Sequence, residues 1–193
     1  MRLAFALTLS VALAAIVPAA AAAPTLSDGV KTIFDAYPGK FVSLRGPVEK
    51  KTPAYFEYVG KLVPAGFQKC TVTQNNSAGQ NISGYRCTAS TGVTPTTKYD
   101  EKAAAALSQL YAKTLSTVKQ VKPSASLKKY TSVDVTGNGS AAEALIHIPG
   151  GPMVTVSTRD VHEQGTKMNI FRDVRLEVET PHTLSTAGWH ATK

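Results

Sequence analysis

The sequence predicts an α+β protein: a tandem repeat of a helix followed by three or four antiparallel strands, with the helices on one face of the sheet. Two segments carry apolar residues at helical spacing, and the runs between them alternate apolar and polar residues. Proline and glycine recur at equal offsets around these segments. Of the 193 residues, 43% are hydrophobic and 18% are charged, which excludes a disordered chain.

Residues 1–22 are expected to be a signal peptide. Arg2 precedes an apolar run from Leu3 to Val17, and small residues follow as far as Ala23. A cation, a short apolar run and an Ala-x-Ala region are typical of an export signal, whereas a membrane anchor, the alternative, needs a longer run. The sequence therefore predicts a periplasmic or extracellular protein without a transmembrane segment after cleavage, with a net charge of +7 once Arg2 is removed.

The first predicted helix has one apolar stripe, which consists of Val30, Ile33, Phe34 and Tyr37. Ser27 or Asp28 can cap its start, and Pro38 and Gly39 end it. Strand-like runs follow at Phe41–Arg45, Tyr55–Val63, Phe67–Gln74 and Ile82–Ala89. With the linker at 90–97, these elements make up the first predicted unit, residues 23–97.

The two cysteines are expected to form a disulfide across a hairpin. Turn-forming residues separate the run around Cys70 from the run around Cys87. Pairing the cysteines also pairs Val72 with Tyr85, so one register satisfies both the disulfide and an apolar face. The alternative, a redox-active pair, needs a closer spacing than this sequence has.

The second predicted helix extends from about Asp100 to Val121, and Pro123 ends it. Strand-like runs recur at Lys129–Val135, Glu143–Ile148, Met153–Arg159 and Lys167–Val178. The second predicted unit covers residues 98–180, and residues 181–193 are expected to be a flexible tail.

The proposed repeat depends on turn residues that are 85 positions apart in the two halves. They are Pro38 and Pro123, Pro64 and Pro149, and Gly66 and Gly151. Coincidence is the alternative, because proline and glycine mark turns in any protein. The layout is similar to that of the beta-lactamase inhibitor proteins, which also repeat a helix-plus-four-strand unit; no sequence motif accompanies this resemblance.

The chain lacks the motifs of serine hydrolases, dinucleotide- and phosphate-binding loops and zinc proteases. Its four histidines do not have metal-ligand spacing, so we predict no metal and no cofactor. Pairing Ile148 with Val154 would bring together polar residues on the outer sheet face. These are Glu143, His147, Ser157, Arg159, Lys167 and Asn169. In this register Glu143 lies opposite Arg159. In the next hairpin, pairing Val156 with Ile170 would place Arg159 opposite Lys167 and Ser157 opposite Asn169.

A second polar feature is basic. Lys119, Lys122, Lys128 and Lys129 cluster around the end of the second helix and would attract anionic partners. Tyr130 is the single aromatic residue among them, which argues against nucleic acid as the partner.

Two functions from different classes fit these observations. The first, which the missing motifs favour, is an exported non-enzymatic protein that binds a protein or an anionic envelope component. Its candidate binding residues are Lys119, Lys122, Lys128, Lys129, Glu143, His147, Arg159 and Lys167. The alternative is a small secreted hydrolase acting on phosphodiesters, with His147, Glu143 and Arg159 as acid–base and charge-stabilising groups.

Overall fold

The computed structural model describes residues 23–76, 81–91, 101–133, 139–162, 170–181 and 190–191. The predicted signal peptide, Lys167, Asn169 and most of the linker and the tail lie outside these ranges. The helices are α1 (Leu26–Ala36) and α2 (Glu101–Val121), and a short 3-10 turn covers Val42–Leu44. The strands are β1 (Arg45–Lys51), β2 (Tyr55–Gly60), β3 (Lys69–Asn75), β4 (Ile82–Ser90), β5 (Ser126–Val133), β6 (Gly139–His147), β7 (Met153–His162), β8 (Ile170–Glu179) and β9 (His190–Ala191).

Both predicted helices are confirmed, but the cap of α1 is not one of the predicted residues. Thr25 caps the helix: its hydroxyl oxygen accepts the Asp28 N–H at 3.1 Å and donates to the Asp28 carboxylate at 2.6 Å. This reciprocal arrangement satisfies a backbone donor that the first helical turn leaves without a partner. Asp28 therefore supports the cap from within the first turn.

The strands form one antiparallel sheet in the order β1-β2-β3-β4-β8-β7-β6-β5-β9. The chain runs through α1 and β1–β4, then through α2 and β5–β8, yet β4 pairs with β8 over seven residue pairs from Gly84 to Ser90. The fold is thus α+β with an antiparallel sheet, as predicted, but two separate repeat units are not shown. Pairing β4 with β8 joins the sheet because each strand would otherwise leave its backbone groups unpaired at an edge.

Both helices pack on one face of the sheet, which we call the covered face; we call the other the open face. A row of directly paired, buried residues crosses the middle of the covered face. It consists of Cys70, Cys87, Leu176, Val156 and Ala144. The helix residues Val30, Ile33, Phe34 and Val118 belong to the same core. A single core therefore spans both halves of the chain.

The disulfide prediction is confirmed together with its register. Cys70 and Cys87 are bonded and lie directly opposite each other, with their Cα atoms 4.0 Å apart. Val72 pairs with Tyr85 in the same ladder. Both cysteines are buried under the helices.

The predicted strand at Phe41–Arg45 is wrong. Lys40 and Phe41 have left-handed backbone conformations, and the 3-10 turn follows. This turn places the Phe41 ring in the core, 6.2 Å from the Tyr37 ring and 5.9 Å from the Tyr85 ring. Burial of a whole aromatic ring outweighs the cost of the unusual backbone.

Candidate functional site

The predicted binding residues of the second helix and its following strand surround β5, close to one edge of the sheet. Successive side chains of a strand point to opposite faces. Leu127 and Lys129 pair with the inward-facing Ile146 and Ala144, and so lie on the covered face. Lys128, between them, lies on the open face. Among the described residues, β9 pairs with Tyr130 and Thr131 of β5. We call β5, together with the end of α2 beside it, the β5 margin.

A pocket of about 350 Å³ lies between α2 and β5 on the covered face, and we call it the helix-side pocket. Its lining residues are Ala112, Leu115, Ser116, Lys119, Leu127, Lys129 and Ile146. Leu127 is 42% exposed there, so an apolar side chain of β5 remains accessible beside α2. The Lys119 ammonium donates a hydrogen bond to the carbonyl oxygen of Ala125. The pocket thus has an apolar surface and two cations.

A second pocket, of about 460 Å³, lies on the open face of the same strand. It is lined by Ser126, Lys128, Tyr130, Leu145, Ile146, His147 and Met153. It unites Lys128 and His147, two of the residues proposed from the sequence. Glu143 pairs with Tyr130 at its border.

The structure divides the predicted lysine cluster among three places. Lys119 and Lys129 share the helix-side pocket, and Lys128 lies on the other side of the sheet. The Lys122 ammonium lies 5.4 Å from the centre of the Phe34 ring, a cation–π contact with α1. Lys122 therefore contributes to helix packing as well as to the positive charge.

The cations at the centre of the open face have carboxylate partners. Arg159 and Arg175 each donate to the same Asp173 oxygen, at 3.0 and 2.9 Å, and Arg86 pairs with Glu177. Asp173 is only 5% exposed, so the two guanidinium groups compensate a buried charge. In the part of the chain that the structure describes, Lys119, Lys128 and Lys129 form no ion pair with a carboxylate.

The predicted register of the β6–β7 hairpin is wrong by two residues. Ile146, not Ile148, pairs with Val154, and Glu143 consequently lies opposite Ser157. The reason lies in the turn, where Ile148 points into the core and accepts a hydrogen bond from the Gly151 N–H. A shift of two residues keeps every side chain on its expected face, so alternation alone could not reveal it.

The shifted register changes the neighbours of the proposed hydrolase residues. His147 pairs with Met153 instead of lying opposite Thr155. The predicted β7–β8 register is wrong as well: Val156 pairs with Leu176 and not with Ile170, so Arg159 lies opposite Asp173 where Lys167 was expected. Glu143 and His147 remain four residues apart on one strand, about 13 Å. The three groups proposed for catalysis therefore do not converge on one point.

Glu143 nevertheless has an unusual environment. Partial burial, and secondarily the charge of Glu177, raise the pKa of its carboxyl above the ordinary value of 4.5. In contrast to Asp173, Glu143 has no ion pair with a cation among the described side chains.

The hairpin at the opposite edge of the sheet is aromatic and basic, and it was not predicted from the sequence. Three cations lie over three rings: Arg45 over Tyr58 at 5.0 Å, Lys50 over Tyr55 at 5.9 Å and Lys51 over Phe56 at 5.5 Å. The pairing of β1 with β2 creates these contacts. The sequence carried one signal for these contacts: Lys50 and Lys51 lie as close to the turn at 52–54 on one side as Tyr55 and Phe56 do on the other. This signal can be used only when β1 is recognised as a strand.

Among the residues that the structure describes, no three His, Cys, Asp or Glu side chains are placed to hold a metal ion. None of the helices in those same ranges is long and apolar enough to cross a membrane.

Comparison of the chain with models of protein families, with curated proteins and with solved structures found no match. No solved structure therefore supports the similarity of layout to the beta-lactamase inhibitor proteins, and this similarity carries no argument about function. The functional argument depends on the site itself.

Proposed function

We propose that this chain is a non-enzymatic binding protein of the cell envelope, which holds an anionic component of the envelope at the β5 margin. The observation that carries the proposal is the set of three lysines, Lys119, Lys128 and Lys129, around two pockets at one edge of the sheet. Cations without carboxylate partners beside a concave, partly apolar surface attract and retain anions.

The pairing of the other open-face cations supports this location. Arg86, Arg159 and Arg175 already neutralise carboxylates and are held by them. An anionic ligand that approached the centre of the open face would compete with Asp173 and Glu177. At the β5 margin it meets no such competitor among the lining residues of either pocket.

The envelope location is part of the proposal. It is supported by the signal-like residues 1–22 and by the buried disulfide between Cys70 and Cys87, since disulfides persist in oxidising compartments. His147 and Glu143 lie about 13 Å apart along one strand and do not meet at a reaction centre, which supports binding better than catalysis.

Binding of anionic vesicles tests this function. The probe is a vesicle of mixed anionic and zwitterionic phospholipid, and a purely zwitterionic vesicle serves as its control. We expect the substitutions Lys119→Glu, Lys128→Glu and Lys129→Glu together to weaken binding at least about tenfold, and added salt to weaken binding of the original chain.

A matched variant distinguishes the effect of where the lysines lie from the effect of the changed net charge. Lys61, Lys102 and Lys113 are exposed, lie outside both pockets and undergo the same charge change when replaced by Glu. This control variant should bind within about threefold of the original chain. An equal loss in both variants, or no binding of anionic vesicles by the original chain, would overturn the proposal.

A further inference from the structure

We infer that the helix-side pocket binds an anionic amphiphile: one hydrocarbon chain that lies on the apolar surface, with a carboxylate or phosphate head between Lys119 and Lys129. This inference rests on the proposed function and narrows its ligand from any envelope anion to one with a free hydrocarbon chain.

The apolar part of the pocket comes from both elements that form it. Ala112 and Leu115 line it from α2, and Leu127 and Ile146 line it from β5 and β6. Leu127 is exposed because α2 does not cover β5 completely. A hydrocarbon chain in this gap would remove apolar surface of both partners from water, which strengthens binding by about fourfold for each buried methylene.

The cations are placed at the border of that surface from two independent elements. Lys119 comes from the last turn of α2 and Lys129 from the middle of β5. The hydrogen bond from Lys119 to the Ala125 carbonyl oxygen positions its ammonium group and leaves two of its three N–H donors for a ligand. The lining includes no acidic residue, so no side-chain carboxylate opposes an anionic head there.

The size and chemistry of the pocket favour a small amphiphile over a polyanion. About 350 Å³ falls in the range of small-molecule sites. Besides the two lysines, Ser116 is the one lining residue with a polar side chain. A sugar or phosphate polymer would bring many hydroxyl or phosphate oxygens into a space that offers few donors, whereas a hydrocarbon chain needs none.

The experiment measures the affinity of the chain for hexanoate, octanoate, decanoate and dodecanoate by calorimetry, below their micelle concentrations. We expect the affinity to rise about fourfold per methylene until the pocket is full. Decanol, which has the chain without the charge, should bind at least about tenfold more weakly than decanoate.

Two pairs of variants locate the site. Ala112→Trp fills the pocket and should abolish decanoate binding, whereas Ala105→Trp, at an exposed position of α2 outside the pocket, should not. Lys119→Gln with Lys129→Gln should weaken decanoate binding, and Lys102→Gln with Lys113→Gln should leave it unchanged. Circular dichroism and the thermal midpoint establish that each variant is folded.

The outcomes distinguish this inference from the proposed function. If anionic vesicles bind through the lysines but free carboxylates do not bind, or bind without dependence on chain length, the ligand is a charged surface and the inference is overturned while the function stands. If Ala112→Trp binds decanoate as before, the pocket is the wrong location. If neither vesicles nor carboxylates bind, both proposals fail.

Discussion

At the scale of single residues, two carboxylates of the open face show that the surroundings of a charge decide how strongly it destabilises the folded state. Asp173 is almost fully buried and receives two arginine donors, so its charge is compensated where it lies. Glu143 is less buried than Asp173 but has no such donors among the described side chains, and partial burial, followed by the charge of Glu177, raises the pKa of its carboxyl. A carboxylate with a raised pKa destabilises the folded state whenever it is ionised.

The stability of the protein should therefore depend on the protonation of Glu143. Between the ordinary pKa of 4.5 and the raised pKa, the folded state binds more protons than the unfolded state. The free energy of unfolding contributed by this group falls as pH rises through that window. We expect Glu143→Gln to be more stable than the original chain at neutral pH and equally stable well below pH 4.5, as measured by urea denaturation at a series of pH values. A difference that is constant across the series would contradict this.

At the scale of elements, the hairpins differ in how well their register could be predicted. In β3–β4, the disulfide and the pairing of Val72 with Tyr85 demand the same register, and the structure has it. In β6–β7, the alternation of apolar residues was the single constraint, and a shift by two positions leaves that alternation intact. Strand β1 was missed because Gly46 and Pro47 are poor strand residues, tolerated here because β1 is an edge strand with a bulge.

The disulfide of the β3–β4 hairpin should contribute measurably to stability. It closes a 17-residue separation, and a loop of this length loses enough unfolded-state entropy to stabilise the fold by about 3 kcal/mol. We expect Cys70→Ala with Cys87→Ala to lower the free energy of unfolding by this amount in urea denaturation. Mass analysis of the unreduced original chain should find no free thiol. Two free thiols would show that the pairing is wrong.

At the scale of the whole molecule, the central feature is the continuity of the sheet. The proposed repeat divides the chain near residue 97, yet β4 and β8 pair across that division and one core includes residues from both sides. Separation of the halves would expose Leu176, Val174 and their neighbours on both sides of this ladder.

Neither half should fold alone. We expect residues 23–97 and residues 98–193, produced separately, to show no cooperative unfolding, because each would lose the β4–β8 ladder and part of the shared core. The whole chain should unfold in a single transition by both fluorescence and circular dichroism. A cooperative transition in either isolated half would instead support two autonomous repeat units.

The sequence by itself determined the α+β class, both helices, most strands and the cysteine pairing, because each depends on local periodicity or on two coincident constraints. It also indicated that Lys119, Lys128 and Lys129 belong to one region. Only the tertiary structure decided that the adjacent residues Lys128 and Lys129 line different pockets. It also decided that Lys119 of α2 lines the same pocket as Lys129 of β5. The physical reason is that neighbouring residues of a strand face opposite sides, whereas the position of a helix over a sheet depends on packing of the entire core.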